Sequence, residues 1–283
     1  MRLSVLPLAA LPLAARAATP AEVADTCADV AEAACGDSHA AARDLRAAVE
    51  SVLAAPSEAG LPAAPVPYRQ TEAFRFGSPI LDDREGRVSA WPPDEGLMDH
   101  VSSGPFASDD DPAPALDVIG NPRPRVGGAE VDASVIDAAL IAEPPNEAEG
   151  IEGNVARGRQ AAEVLLRGQD LGGTGPGAGE RPWTDCARGA ARTGGNRDRR
   201  ADDLRAAAAR LAEDLAVMAG AWAEGAPARK AVTAGPEAGP RAMLTGMGPP
   251  GYGEPAGERM WLGLPLDDPE AAGPDASPGA VFP

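Results

Sequence analysis

Gln160 and Glu163 stand three residues apart in the stretch NVARGRQAAEVLLRGQDLGGTGPGAGERPWT, which runs from Asn154 to Thr184. On a helix that spacing gives them a common face, and an amide oxygen beside a carboxylate is a pair of oxygen donors for a cation. Metal-assisted hydrolysis asks for more, about three protein ligands and a water polarised by the ion. The chain has only 2 histidines, His39 and His100, in no His-Glu-x-x-His arrangement, and an isolated histidine is ordinarily a surface residue. No serine occupies a Gly-x-Ser-x-Gly elbow. The glycines from Gly173 to Gly179 have no Gly-Lys-Ser/Thr after them and no strand before them, so they read as a loop between helices rather than a phosphate cradle. The Asp109-Asp110-Asp111 run lacks the alternating spacing of a calcium loop.

The elements that must carry these residues are helices. Val155, Ala162, Leu165 and Leu166 place one apolar side on the helix that bears Gln160 and Glu163, and Gly168 to Gly173 stops it. Upstream, Pro20 to Ala55 reads as one long helix with Val23, Cys27, Val30, Ala34, Ala41, Leu45, Val49 and Val52 as its apolar seam; Pro20 suits its first turn and Pro56 ends it. Pro62, Pro65 and Pro67 rule out a helix between Ser57 and Pro67. Arg69 to Phe76 is expected as a short helix, Trp91-Pro92-Pro93 as an irregular crossing, a further helix begins near Asp94, and Asp132 to Ala142 has the length of another. Asn196 to Glu224 carries the cleanest periodicity: Leu204, Ala208, Leu211, Leu215, Met218 and Trp222 alternate by fours and threes, a single seam facing a partner helix.

These motifs resemble the imelysin family, also called insulin-cleaving membrane peptidases or iron-regulated envelope proteins. Its Gly-x-His-x-x-Glu signature followed by a Gly-Gln-Asp-Leu run is matched by Gly158, Glu163 and Gly168-Gln169-Asp170-Leu171, with Gln160 where the family has histidine. Tyr68 to Val101 (YRQTEAFRFGSPILDDREGRVSAWPPDEGLMDHV) is similar to the family's Tyr-x-Gln-Thr-Glu block and its Trp-Pro-x-Asp-Glu-Gly block. Arg241 to Gly248 and Gly253 to Met260 are similar to two more. The resemblance implies an all-α, imelysin-like helical bundle with long Gly/Pro-rich connections. It also implies a metal site in which Glu163 keeps its carboxylate, Glu72 converges on it ahead of Asp94 and Glu95, and Gln160 offers only a neutral oxygen, a poor ligand for iron or zinc. A divalent metal or iron is therefore the expected cofactor, held more weakly because of Gln160. The resemblance runs from Thr19 to Pro269 and stops short of a further Asp-Cys-Phe-Ser-Asp-Asn-Thr-His type block, so an incomplete domain is expected, with 270–283 as a disordered tail.

Composition sets the compartment and the class of partner. Aromatics are 4%, while Gly (33) and Pro (30) are frequent, so helices must pack closely through small side chains and be joined by irregular connections. A formal charge of −18 argues against nucleic acid, whose phosphates need clustered Lys and Arg. Met1 to Ala18 has a basic Arg2, an apolar run from Leu3 to Ala15 and an Ala15-Arg16-Ala17 site, the pattern of a signal peptide over 1–18. No later stretch approaches the ~20 apolar residues of a membrane span. Cys27 and Cys35 lie eight residues apart on one helix, roughly 12 Å along its axis, beyond disulfide reach; any bridge would join Cys186 to one of them. The expected protein is an exported, periplasmic cell-envelope protein that binds a metal ion and works with iron-uptake envelope proteins. A metallopeptidase of the imelysin type is the alternative, and a degenerate inactive copy is the second.

Overall fold

The fold is known from a computed structural model that describes residues 17–55, 68–71, 74, 79–89, 98–99, 117–126, 128–142, 157–168, 184 and 196–248. Helix accounts for 71% of the interpretable residues and strand for 3%, which makes the protein all-α. In chain order the α-helices are α1 (Pro20–Ala54), α2 (Pro79–Val88), α3 (Gly158–Arg167), α4 (Arg197–Gly220), α5 (Pro227–Thr233) and α6 (Ala238–Gly248). A two-residue antiparallel pair, β1 (Arg125–Val126) and β2 (Ala129–Glu130), lies between α2 and α3.

Helix α1 begins where its chemistry predicts. Pro20 takes the first helical position, where its missing N–H costs nothing. Thr19 and Glu22 form a reciprocal capping box: the Glu22 amide donates to Thr19 Oγ1 at 3.2 Å and the Thr19 amide to Glu22 Oε2 at 2.8 Å. This satisfies amides that a helix start otherwise leaves unpaired. Thr19→Ala is expected to lower the unfolding free energy by about 1 kcal/mol, measured by urea denaturation; an unchanged midpoint would show that the first turn frays in solution.

The face that α1 buries is not the whole of the seam read from its sequence. Leu45, Val49 and Val52 are buried as expected, but in the first half Ala24, Ala28, Ala31 and Cys35 go inward while Val23 and Val30 remain exposed and Cys27 is half-buried. The partner decides this. α1 packs most extensively against α4, which buries Ala201 and Ala208 completely. Two alanine surfaces allow the axes to approach, and dispersion contacts fall off steeply with any gap. Turning Val23 and Val30 inward would hold the helices apart. The same closeness continues at the start of α6, where a Cβ on Gly239 would collide with Ala24 Cβ.

Ion pairs at both ends fix α1 and α4 as antiparallel. Glu50 meets Arg205 at 3.0 Å near the start of α4, whereas Asp29 and Glu32 each meet Arg229, just beyond its other end, at 2.8 Å. The α4 seam is buried as predicted: Leu204, Ala208, Leu211, Leu215 and Met218 are at most 1% exposed, and Trp222 is 3% exposed. Phe74 meets the Trp222 ring edge-on, centroids 6.4 Å apart, the core role expected of an aromatic there.

Three local expectations are corrected. Asp132 to Ala142 is not a helix: Asp132 Oδ1 accepts the Ser134 amide, Asp137 Oδ1 accepts those of Ala139 and Leu140, and only Leu140–Ala142 forms a 3-10 turn. Aspartates that bond their own neighbouring amides favour turns over helix. α2 forms where no helix was expected, with Leu81 and Val88 buried seven residues apart, and the β1–β2 pair was equally unforeseen. Of Arg69 to Phe76, Tyr68–Thr71 is a 3-10 turn and Phe74 is helical; the remainder lies outside the described residues, as do 90–97. Cys27 and Cys35 are not bridged to each other, as their separation requires, and Cys186 lies outside the described residues. No described helix is long and apolar enough to cross a membrane.

Candidate functional site

Gln160 and Glu163 ride on α3, and Gly158 dictates how that helix is seated. Its φ is +95°, and a Cβ at this position would lie 2.7 Å from the Arg87 carbonyl oxygen and 2.8 Å from that of Val88. Only glycine tolerates both the dihedral and the contact. The first turn of α3 is thereby pressed against the end of α2. Gln160 points into this junction, 5% exposed, and its Nε2 donates to Ser89 Oγ at 2.9 Å. Its Oε1 is buried with no hydrogen-bond partner among the described residues.

Glu163 departs from the expected common face. Its side chain is 62% exposed and faces Arg159 across 3.9 Å, an i,i+4 pair that contributes a few tenths of a kcal/mol at most. An i,i+3 pair is separated by about 60° around the helix, enough to straddle the edge of a packed interface. Ala161, Ala162, Val164 and Leu165 are buried on the other side of that edge. The two side chains therefore do not aim at one point. Glu72, Asp94 and Glu95 lie outside the described residues. Among the described residues no group of three His, Cys, Asp or Glu side chains is gathered in a way that could hold a metal ion.

What lies beneath α3 is a seam of charge. Arg200, Asp203, Ala207, Arg210 and Asp214 repeat along α4 by threes and fours, beside the apolar seam. Arg200, Asp203 and Asp214 are 7%, 0% and 2% exposed. Arg200 donates to both carboxylate oxygens of Asp99, Nε at 2.8 Å and an Nη at 2.9 Å, the fork geometry that carboxylate recognition favours. Asp214 accepts from Arg84 of α2 and Arg210 of its own helix, each at 3.2 Å. Arg199 caps three carbonyls, those of Val118, Ile119 and Ser134, at 2.7, 2.8 and 3.2 Å. Asp203 has no hydrogen-bond partner among the described residues on either oxygen. Burial first, and then the neighbouring Asp99 carboxylate, push it up to about 8, against the pull of Arg199 and Arg200.

The decisive comparison is with protein families. The family model described as Imelysin matches residues 31–276, most of the chain. The chain belongs to the imelysin family. No curated protein is similar enough to count as a match.

Within an imelysin chain, then, the signature glycine has a structural reason, since Gly158 is the point where α3 meets α2. Gln160, where the resemblance leads one to expect a histidine, hydrogen-bonds inward, and Glu163 sits at the rim. Sequence reasoning missed Asp99, Arg200, Asp203 and Asp214. A signal was present: a second three- and four-residue stripe on α4, made only of charges and alanine. Taken alone it reads as a solvated face. The stripe is not that face: α1 covers one side of α4 and α2 and α3 cover another, while Glu213 and Val217 lie on the exposed side.

Proposed function

We propose that this imelysin is an exported cell-envelope protein that handles a metal ion, iron in the first place, in support of iron uptake, with a site attenuated by Gln160. One observation supports an ion at this position: Gln160 Oε1, buried and without a hydrogen-bond partner among the described residues, is an oxygen donor left open at the α2–α3 junction. The described side chains supply only part of a ligand set. A neutral amide oxygen and a carboxylate at the rim fit a hard cation weakly, and Glu72 would have to complete the site. The family's peptidase label remains the alternative, and it needs about three ligands and an activated water. A second alternative, an inactive copy, is favoured by the Ser89 bond to Gln160 and the outward turn of Glu163.

The test is calorimetric titration of iron(II) or zinc into the wild type, Gln160→His, and Glu163→Ala in the histidine background. Restoring an imidazole that contacts the ion should tighten binding by more than the ~10–100-fold typical of residues that only support ligands, and the alanine should remove that gain. Equal affinities in all three proteins would leave the inactive copy as the reading. Chelator-sensitive cleavage of a protein substrate would favour the peptidase.

A further inference from the structure

Asp203 takes no part in the α3 site. It lies nearly two turns into α4, fully buried, both carboxylate oxygens without hydrogen bonds among the described residues. The guanidinium that could neutralise it, Arg200, is committed to Asp99 by two bonds. The other, Arg199, is committed to the carbonyls of Val118, Ile119 and Ser134. These two arginines fasten the start of α4 to the segments at 98–99, 117–120 and 134, and Ile119 is itself bonded through its amide to the Met98 carbonyl at 3.1 Å.

We propose that Asp203 is a proton-operated latch: as a neutral acid it lets the first turns of α4 lie against the segments carrying Asp99 and Val118–Ile119, and its ionisation releases them. An ionised Asp203 has two outcomes. It can draw Arg200 away from Asp99, leaving that carboxylate without its guanidinium, or it can stay as it is, a charge in a dry interior. Both are costly, and local opening that admits water relieves both. Among the described residues, the charged groups acting on Asp203 are Asp99, Arg199 and Arg200. The other elements packed against α4 bring charges already engaged elsewhere: Glu50 of α1 with Arg205, Arg84 of α2 with Asp214, and Arg159 of α3 with Glu163. Arg157, which precedes α3, is buried and has interactions of its own. The 3-10 turn at Leu140–Ala142 brings no charge.

The sign is set by linkage. The folded state holds the Asp203 proton more tightly than the unfolded chain, whose aspartates titrate near 4. The latch is therefore fully closed below that value and is lost progressively as pH rises through about 8.

Amide hydrogen exchange on the full chain, corrected for the intrinsic pH dependence, tests this. Between about pH 6 and pH 9, protection at Ala201–Leu204 and Ile119 should fall at least tenfold, which is about 1.4 kcal/mol. Leu215–Met218 at the far end of α4 should hold steady, and Asp203→Asn should show no fall. An equal fall in the variant, or none in the wild type, overturns the proposal. Because the variant could fail to fold, a carbon-13 carboxyl titration of the wild type stands beside it: an Asp203 midpoint above about 7 is expected, and one below about 5 overturns the latch.

Discussion

Arg200→Ala is expected to cost about 3–5 kcal/mol of folding stability, the range for removing one partner of a buried ion pair. The Arg200 side chain is 9% exposed and that of Asp99 3%, so water cannot take over either of the bonds that Asp99 would lose. The loss also removes one of the two cations that moderate Asp203. Arg200→Lys should fall between the wild type and alanine, because a lysine keeps the charge but not the two-pronged geometry. The double variant Arg200→Met with Asp99→Leu separates pairing from packing. If the pair mainly answers its own desolvation, the double variant should be markedly more stable than Arg200→Ala, despite lacking both charges. Urea unfolding of the four proteins gives the comparison. A cost below about 1 kcal/mol for Arg200→Ala, the size of an exposed pair, would mean that this end of α4 is open to water.

Gly158→Ala is the second large effect. Two penalties act together: a left-handed dihedral, about 1–2 kcal/mol for a residue with a Cβ, and a methyl forced to within 2.7–2.8 Å of two backbone oxygens, for which overpacking costs of about 1–3 kcal/mol are usual. A total of about 2–5 kcal/mol is expected, together with withdrawal of α3 from α2 and loss of the Gln160–Ser89 bond. Gly225→Ala is the control. Its φ is +72°, but nothing lies within 4 Å of the position, so only the dihedral term remains. If both alanines cost the same, the close approach of α3 to α2 contributes nothing beyond backbone strain.

Both predictions concern features that the sequence exposed unequally. Gly158 was legible as a signature residue, but not as a contact, because nothing in local sequence says which backbone will come within 3 Å of it. Arg200 and Asp99 are 101 residues apart, and Asp99 comes after a segment read only for Asp94 and Glu95. The three-residue spacing predicts a shared aim for Gln160 and Glu163. An i,i+3 spacing fixes the angle between two side chains, not the position of the buried edge that runs between them.

By itself the sequence determined the all-α class, the start of α1 at its Thr19-Pro20-x-Glu22 cap, the end of α3 at Gly168, and the apolar seam of α4 from Leu204 to Trp222. These depend on neighbours within a turn or two: a capping side chain, a ring that fixes φ, a glycine that tolerates φ of +90° at Gly168, a repeat of large apolar residues that has only one way to leave water. Tertiary structure alone decided that Ala24, Ala28 and Ala31 are buried in place of Val23 and Val30, that Asp132 to Ala142 becomes turns, that Glu163 looks outward, and that a charged stripe of α4 is interior. Burial belongs to two surfaces at once. An alanine face gains little by itself, about 0.8 kcal/mol per methyl-sized group, until a second alanine face lets the helices close. A row of arginines and aspartates stays on the surface until neighbouring segments cover it and supply partners, as Asp99 does for Arg200 and Arg84 for Asp214; Asp203 is carried inside with no hydrogen bond among the described residues.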